Sequence, residues 1–381
     1  MGIVERYILR GGFIAFAASL TVLTAIVWVS QALREVDLMT GKGQTILVFL
    51  SVTSLTIPSL VSVIAPIALF AAVLYTLNKL NGDSELVVMT AAGMSPGRLA
   101  RPFVILAVTV SILVGVMSTW AMPASYRLMR DILSKVRADF LTYLVREGQF
   151  VTLDQGFVFH YRERGANGAL LGIFIQDRRD AEKISTYIAE AGLTVSSGDN
   201  NFLVLEKGFV HRQTRNERSS AMVQFESYAL DLAQFAGGSE AGALRPRERT
   251  TTDLLFLSQE NADSFTRQYY GRFRAELHER LSGPLYVMAF AMIAFAALGQ
   301  ARTTRQGRGA AILAAIVIGL ALRVGGIAVS NISARNAAAV PLVYALPLAG
   351  MVGAFLYGFV GAPASLRRLV SRTPRAGAQP A

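Results

Sequence analysis

Two places in this chain combine residue types in a way that can do chemistry. The first is Arg323, the only charge in the apolar run ILAAIVIGLALRVGGIAVSN (312–331). A guanidinium at the centre of a membrane helix costs roughly 2.5–3.5 kcal/mol even on translocon-based scales, so it either snorkels, pairs with a backbone carbonyl, or serves a charged ligand. The second is the polar stretch Asn81-Gly82-Asp83-Ser84-Glu85-Leu86-Val87-Val88-Met89-Thr90-Ala91-Ala92-Gly93-Met94-Ser95-Pro96. Asp83 or Ser84 can cap a helix, Glu85 suits its positive end, and Gly93 with Pro96 can stop it. Such a helix would carry an apolar face of Leu86, Met89 and Gly93, open to a partner's groove or resting on lipid.

Other chemistries are excluded by what the sequence lacks. There is no Cys, so disulfides and thiolate metal sites are ruled out. His160, His211 and His278 lie far apart with no ligand spacing, and no metal is expected. No G-x-x-x-x-G-K-[ST] occurs, so any nucleotide chemistry belongs to a partner. No apolar stretch carries a Ser/His pair, paired Asp residues or H-E-x-x-H, and the chain reads as a non-enzyme. A net charge of +11 is compatible with nucleic-acid binding, but most basic residues outside the middle region sit at the ends of apolar stretches.

The elements that must position these residues follow from the apolar runs. Of 381 residues, 52% are hydrophobic and 17% charged, below the ~25% charged of soluble domains. Uncharged stretches of about 20 residues are long enough to cross a bilayer. Six spans are expected, at about 12–33, 45–77, 102–122, 282–298, 309–331 and 340–361. The second is too long to be straight, and Pro58 and Pro66 should kink or break it. Arg323 then sits roughly 12 Å below Asn331 along the fifth span, at 1.5 Å per residue. Gly319, Gly325 and Gly326 on that span allow close helix approach, as mobile gate or as tight packing. The first apolar run has no cleavage-type ending and reads as a retained span.

Between the third and fourth spans the character changes. An opening helix places Leu128, Ile132, Val136, Phe140 and Leu144 on one face. Strand-like runs follow, FVFHY, LGIFI, STYIAEAGLTV, NFLVLEKGFVHRQ and AMVQFESYALDL, separated by turn residues, which predicts an antiparallel sandwich or roll. Its aromatic residues Phe157, Phe159, Tyr161, Phe174, Phe202, Phe209 and Phe225 read as a core, or as a groove for acyl chains. The piece AGGSEAGALRPRER (236–249) reads as a flexible exit, and residues 259–281 as an amphipathic helix feeding span four. The expected organisation is thus 1–123 for the first three spans with a loop helix at about 83–93, 124–272 for the β-rich insert, 273–365 for the last three spans, and a basic tail, 366–381.

Positive charge orients the spans. Arg6, Arg10, Lys79, Arg98, Arg101, Arg302, Arg305, Arg308, Arg367, Arg368, Arg372 and Arg375 fall on one side, against Arg34, Lys42 and Arg335 in the short loops of the other. The positive-inside rule puts both termini in the cytoplasm and the β-rich insert outside it.

SELVVMTAAGMSPGRL between spans two and three, and AELHERLSGPLYVMAFAMIAFAAL entering span four, resemble the LptF/LptG permease family, the membrane part of the lipopolysaccharide-export ABC transporter. REGQF (146–150) is more similar to the LptF branch. The resemblance covers nearly the whole chain and implies an inner-membrane heterodimer with an LptG-like permease, on two copies of a cytoplasmic ATPase that binds ATP and Mg. It implies that Ser84, Glu85, Leu86, Met89 and Gly93 form the ATPase-coupling helix. It also implies that lipopolysaccharide enters between spans one and five of opposite subunits. A periplasmic β-jellyroll would then pass it to jellyroll bridge proteins. With that entry gate, Arg34, Lys42, Arg323 and Arg335 are expected to bind head-group phosphates, which Arg pairs bidentately. The rival reading is a membrane receptor or mechanotransmitter whose external domain senses a ligand.

Overall fold

The computed structural model describes residues 2–40, 46–144, 147–154, 156–165, 168–178, 183–197, 200–214, 220–231, 243–260, 262–300 and 308–360. They form two compact units, a helical one drawn from Met1–Glu35, Thr53–Tyr126 and Arg245–Ala381, and a second from Val36–Val52 and Arg127–Leu244.

The helical unit holds six helices long and apolar enough to cross a membrane. The first is α1 (Ile3–Thr40). Next, α2 (Ile46–Ser54) and α3 (Ile57–Gly82) are separated by a break. After the short helix α4 (Glu85–Ala91) comes α5 (Pro96–Val116), which continues through a π-helical turn, Met117–Ala121, into α6 (Met122–Leu144). The return half contains two short helices, α7 (Thr251–Leu255) and α8 (Ser264–Gln268). They precede α9 (Tyr270–Leu298), α10 (Arg308–Arg335) and α11 (Val340–Phe355).

Most spans run past their apolar cores, so helix ends and hydropathy ends differ. Span three begins at Pro96 rather than at Pro102, which lies inside the helix. Ser95 caps that helix by accepting from the Arg98 amide (3.4 Å), and Pro96 takes the first turn, where no amide donor is needed. Span four begins at Tyr270, so residues 270–281 of the amphipathic helix expected at 259–281 are the first turns of the span itself, and Ser264–Gln268 ahead of them is a separate short helix.

The two prolines of span two differ in effect. Pro58 starts α3 after a true break; Pro66 is accommodated inside it. At the break, the Thr53 carbonyl accepts from the Thr56 amide (3.2 Å), the Thr56 hydroxyl (2.7 Å) and Trp28 Nε1 (3.0 Å) of span one. In hydrocarbon a freed carbonyl must find donors in the protein.

Span four is the axis of the unit, packed by α3, α5, α10 and α11. Its Val287, Ala289, Phe290, Ala294 and Leu298 meet Ala65, Ala68, Leu69, Ala72 and Val73 of α3 and Phe103, Ala107 and Val110 of α5. Small residues at helical spacing let backbones approach closely. Helices α1, α10 and α11 instead leave much of their apolar surface exposed, including Phe13, Ile26, Leu33, Val317, Leu320 and Val324. Apolar area on that scale belongs against lipid or another subunit.

The second unit contains one antiparallel sheet, β1 (Val151–Asp154), β2 (Phe157–His160), β3 (Glu163–Arg164), β4 (Leu170–Asp177), β5 (Lys183–Ser197), β6 (Asn200–Thr214) and β7 (Ser220–Asp231). The order is β1-β2-β4-β5-β6-β7, with β3 on β4. The inserted β region is therefore present as expected. Among the described residues its long strands pair in sequential order. Period-two alternation sorts the aromatics. Phe157, Phe159 and Tyr161 are buried with Ile173, Ile175, Leu203 and Leu205, whereas Phe174, Phe202, Phe209 and Phe225 are half-buried.

Candidate functional site

The loop helix α4 forms where the sequence places it, and its local chemistry explains both ends. Ser84 stands at the N-cap in a left-handed conformation (φ 60°) with no side-chain cap bond, so it turns the chain rather than capping it. At the other end Gly93 has φ 85°; its amide reaches the Thr90 carbonyl (3.0 Å), and the Met94 amide reaches Met89 (3.1 Å). Those two bonds make a Schellman motif, which wants glycine at its left-handed position. Met89 and Met94, the hydrophobic pair such a motif favours, both pack against the helical core.

The exposed face of α4 differs from the expected one. Leu86 is 0% exposed and Met89 is half-buried, so both point into the bundle. Val87 and Val88 are the apolar side chains left outside, Val88 at 66% exposure. Leu86 and Met89 thus anchor the helix, and the face available to a partner lies one residue further along. Glu85 accepts from the Tyr7 hydroxyl (3.2 Å), tying α4 to the start of span one. Just ahead, buried Asn81 donates to the carbonyls of Leu77 (3.0 Å) and Leu298 (2.9 Å), satisfying the end of span four. Neither Tyr7 nor Asn81 was legible as a site residue, because their partners lie 78 and 217 positions away.

At the opposite end of the bundle, where spans three and four meet the insert in sequence, a polar cleft of about 80 Å³ opens between helices. It is lined by Arg247, Glu276, Glu279, Tyr286, Arg323 and Ser330, among others. Arg323 is half-buried, its guanidinium 5.6 Å from the Tyr286 ring centroid, a cation–π distance. Gly326 makes that possible, since a Cβ there would overlap the Tyr286 hydroxyl. Gly319 packs on Phe70 and Gly325 on Leu346, so these glycines serve close packing.

Below the cleft wall lies a group the sequence did not reveal. Arg280 is 2% exposed and all its donor nitrogens are engaged. Nε meets Glu276 Oε1 (2.9 Å); Nη1 meets the Arg249 carbonyl (2.9 Å) and Thr251 Oγ1 (3.2 Å); Nη2 meets the carbonyls of Pro246 (3.0 Å) and Arg247 (3.3 Å). Within the expected flexible exit, residues 246–249 are therefore held on span four. Thr251 also donates to the Thr119 carbonyl (2.7 Å) in the π turn of span three, and Ser118 of that turn donates to the Arg280 carbonyl (3.3 Å). Arg249 reaches Asp263 (3.0 Å) and Thr266 (2.7 Å); the Asp263 carboxyl is held below its ordinary range, first by its hydrogen bond with the Thr266 side chain and further by the Arg249 charge.

The expected head-group residues stand as follows. Arg323 lines the cleft, Arg34 and Arg335 are exposed near the ends of their helices, and Lys42 lies outside the described residues. Among the described residues no group of three or more His, Asp or Glu is arranged to hold a metal.

A family model described as "Lipopolysaccharide export system permease LptF/LptG" matches residues 6–360. The chain is 26% identical over 321 residues to the lipopolysaccharide export system permease protein LptF of Escherichia coli, covering 83% of each chain, and the same figures hold for LptF of Shigella flexneri. It is 24% identical over 276 residues to an uncharacterized protein of Rickettsia prowazekii, 72% of this chain and 75% of that one.

Proposed function

This chain belongs to the LptF/LptG family of lipopolysaccharide export permeases, a multi-pass membrane protein, and from that membership we propose that it is the LptF-type half of an ATP-driven permease. Its second half is an LptG-like chain. Two copies of a cytoplasmic ATPase, which bind ATP and Mg, supply the energy. The substrate is lipopolysaccharide, extracted from the inner membrane and passed through the β region to periplasmic bridge proteins.

The observation that carries this reading is the build of α4. A helix meant to transmit force must be rigid towards its own bundle and free towards its partner. Here Leu86 and Met89 fix one side, the Gly93 turn fixes the far end, and Val87 and Val88 face outward. Glu85 and Tyr7 join the helix to span one, one of the least buried of the six and the one expected at the lateral gate. The exposed Arg6, Arg10, Lys79, Arg98 and Arg101 around α4 favour the cytoplasmic side for it and the periplasm for the β region. Arg323, with Arg34 and Arg335, supplies guanidinium groups for the anionic head group.

The test is reconstitution of the two permease halves with the ATPase in proteoliposomes. Val88→Asp should leave the purified permease assembled yet reduce ATPase capture and lipopolysaccharide release at least tenfold. Normal capture and release in that variant would overturn the assignment of α4. A permease that purifies with no ATPase would favour the receptor reading.

A further inference from the structure

The polar cleft contains a separated pair of opposite charges. Arg323 has the Tyr286 ring as its contact and no hydrogen bond or ion pair among the described residues. Glu279, exposed to the cleft, accepts only from the Ser330 hydroxyl (3.3 Å) among them. Of the other charges here, Glu276 takes Arg280 at 2.9 Å and Arg247 at 3.9 Å, and Arg247 also lies within the field of Glu279. Among the described residues Arg323 and Glu279 thus each face the cleft without a partner at ion-pair distance, and they do not reach each other within it.

Their order along the bilayer is specific. The Glu279–Ser330 bond fixes the register of the antiparallel helices α9 and α10 at that level. Arg323 lies seven residues before Ser330, and Tyr286 seven residues after Glu279. The guanidinium therefore sits two turns deeper, about 10 Å along the axis at the backbone, shortened by two long side chains. Seen from the end of span five, the cleft presents a carboxylate near the surface and a guanidinium beneath it. A phospholipid lying in that leaflet presents the opposite sequence: a terminal group outermost and a phosphate beneath it, next to the acyl chains.

We propose that this cleft binds the headgroup of a membrane phospholipid carrying both a phosphate and a primary ammonium, as in phosphatidylethanolamine. Arg323 takes the phosphate with two parallel N–H donors, and Glu279 accepts from the ammonium. The acyl chains lie along exposed Val324 and Ile327 of α10. The inference rests on the membrane placement above, but not on lipopolysaccharide being the cargo. An ethanolamine lipid held here would occupy Arg323 while no lipopolysaccharide head group does.

The experiment is native mass spectrometry of the purified permease complex, incubated with equal amounts of dioleoyl phosphatidylethanolamine and dioleoyl phosphatidylglycerol. Both carry the phosphate; only the first carries the ammonium. Ethanolamine lipid should be retained about tenfold over glycerol lipid, the ratio expected of one charge-assisted bond. Glu279→Gln should bring the ratio close to one while phosphate-dependent retention persists, and Arg323→Gln should lower retention of both lipids. Equal retention by the unmodified complex, or a preference that survives Glu279→Gln, would overturn the proposal. No lipopolysaccharide is in the sample, so that failure would leave the export reading standing.

Discussion

Arg323 and Arg280 are both arginines in a spanning helix, yet only one is visible in the sequence. Arg323 interrupts a long apolar run, and hydropathy alone marks it. Arg280 sits in the charged opening of span four, and its partners are backbone carbonyls some 30 residues upstream, which no residue pattern encodes. Its energetic role is nonetheless the larger. Removing one partner of a buried ion pair costs about 3–5 kcal/mol, because the other is left without compensation. Arg280→Met would strand three carbonyls and leave Glu276 only the longer contact to Arg247 at 3.9 Å. We expect it to lower the thermal midpoint of the purified complex by several degrees and to open 245–251 to protease. Arg280→Lys should recover part of the loss, since an ammonium offers three donors where the guanidinium fork uses five contacts. An unchanged midpoint in Arg280→Met would show that the Arg280 contacts do not hold the segment at 246–251.

Helices were legible as elements because their apolar cores are long, but their limits were not. A helix continues past the hydrocarbon wherever its backbone bonds remain satisfied, so charge marks the membrane edge and not the helix end. The same distinction governs the prolines: Pro58 falls in a first turn with a carbonyl network ready beside it, while Pro66 gives up a single bond inside a packed helix. For α4, existence and stop signal were both readable from Glu85 and Gly93; which face it presents was not, because a seven-residue helix has too few apolar positions to fix its rotation. That rotation can be tested by paired substitutions. Leu86→Asp places a carboxylate at a fully buried position, with a cost of several kcal/mol, and should impair folding of the permease itself. Val88→Asp should leave the thermal midpoint within about a degree, as surface changes usually fall within ±0.5 kcal/mol. Gly93→Ala forces a side chain into the left-handed region, costing about 1–2 kcal/mol, and should loosen α4 without touching its outer face. Melting curves of the three variants, in the order Leu86, Gly93, Val88 from lowest to highest, would establish the assigned face; the reverse order for Leu86 and Val88 would turn the helix round.

At the scale of the whole molecule, the two units bury separate cores: the sheet's Phe157, Phe159, Ile173, Ile175, Leu203 and Leu205 cluster without any residue of the helical unit. Strand existence was readable from alternation and turn residues, whereas strand order was not, since local pattern says nothing about which strands are neighbours; in the event each long strand pairs with the next in sequence. A meander needs only hairpin contacts, which form between segments close in sequence and at low loop-closure cost. Both features predict that residues 127–244 fold without the membrane. Expressed alone in water, that segment should give a circular dichroism spectrum dominated by strand, with a helical component from its opening turns, and should melt cooperatively. Ile175→Asp, at a position with no exposure, should abolish the transition, whereas Met222→Asp, at an exposed one, should leave it in place. A mainly helical spectrum, or a melt indifferent to Ile175→Asp, would mean that the sheet depends on the helical unit for its core.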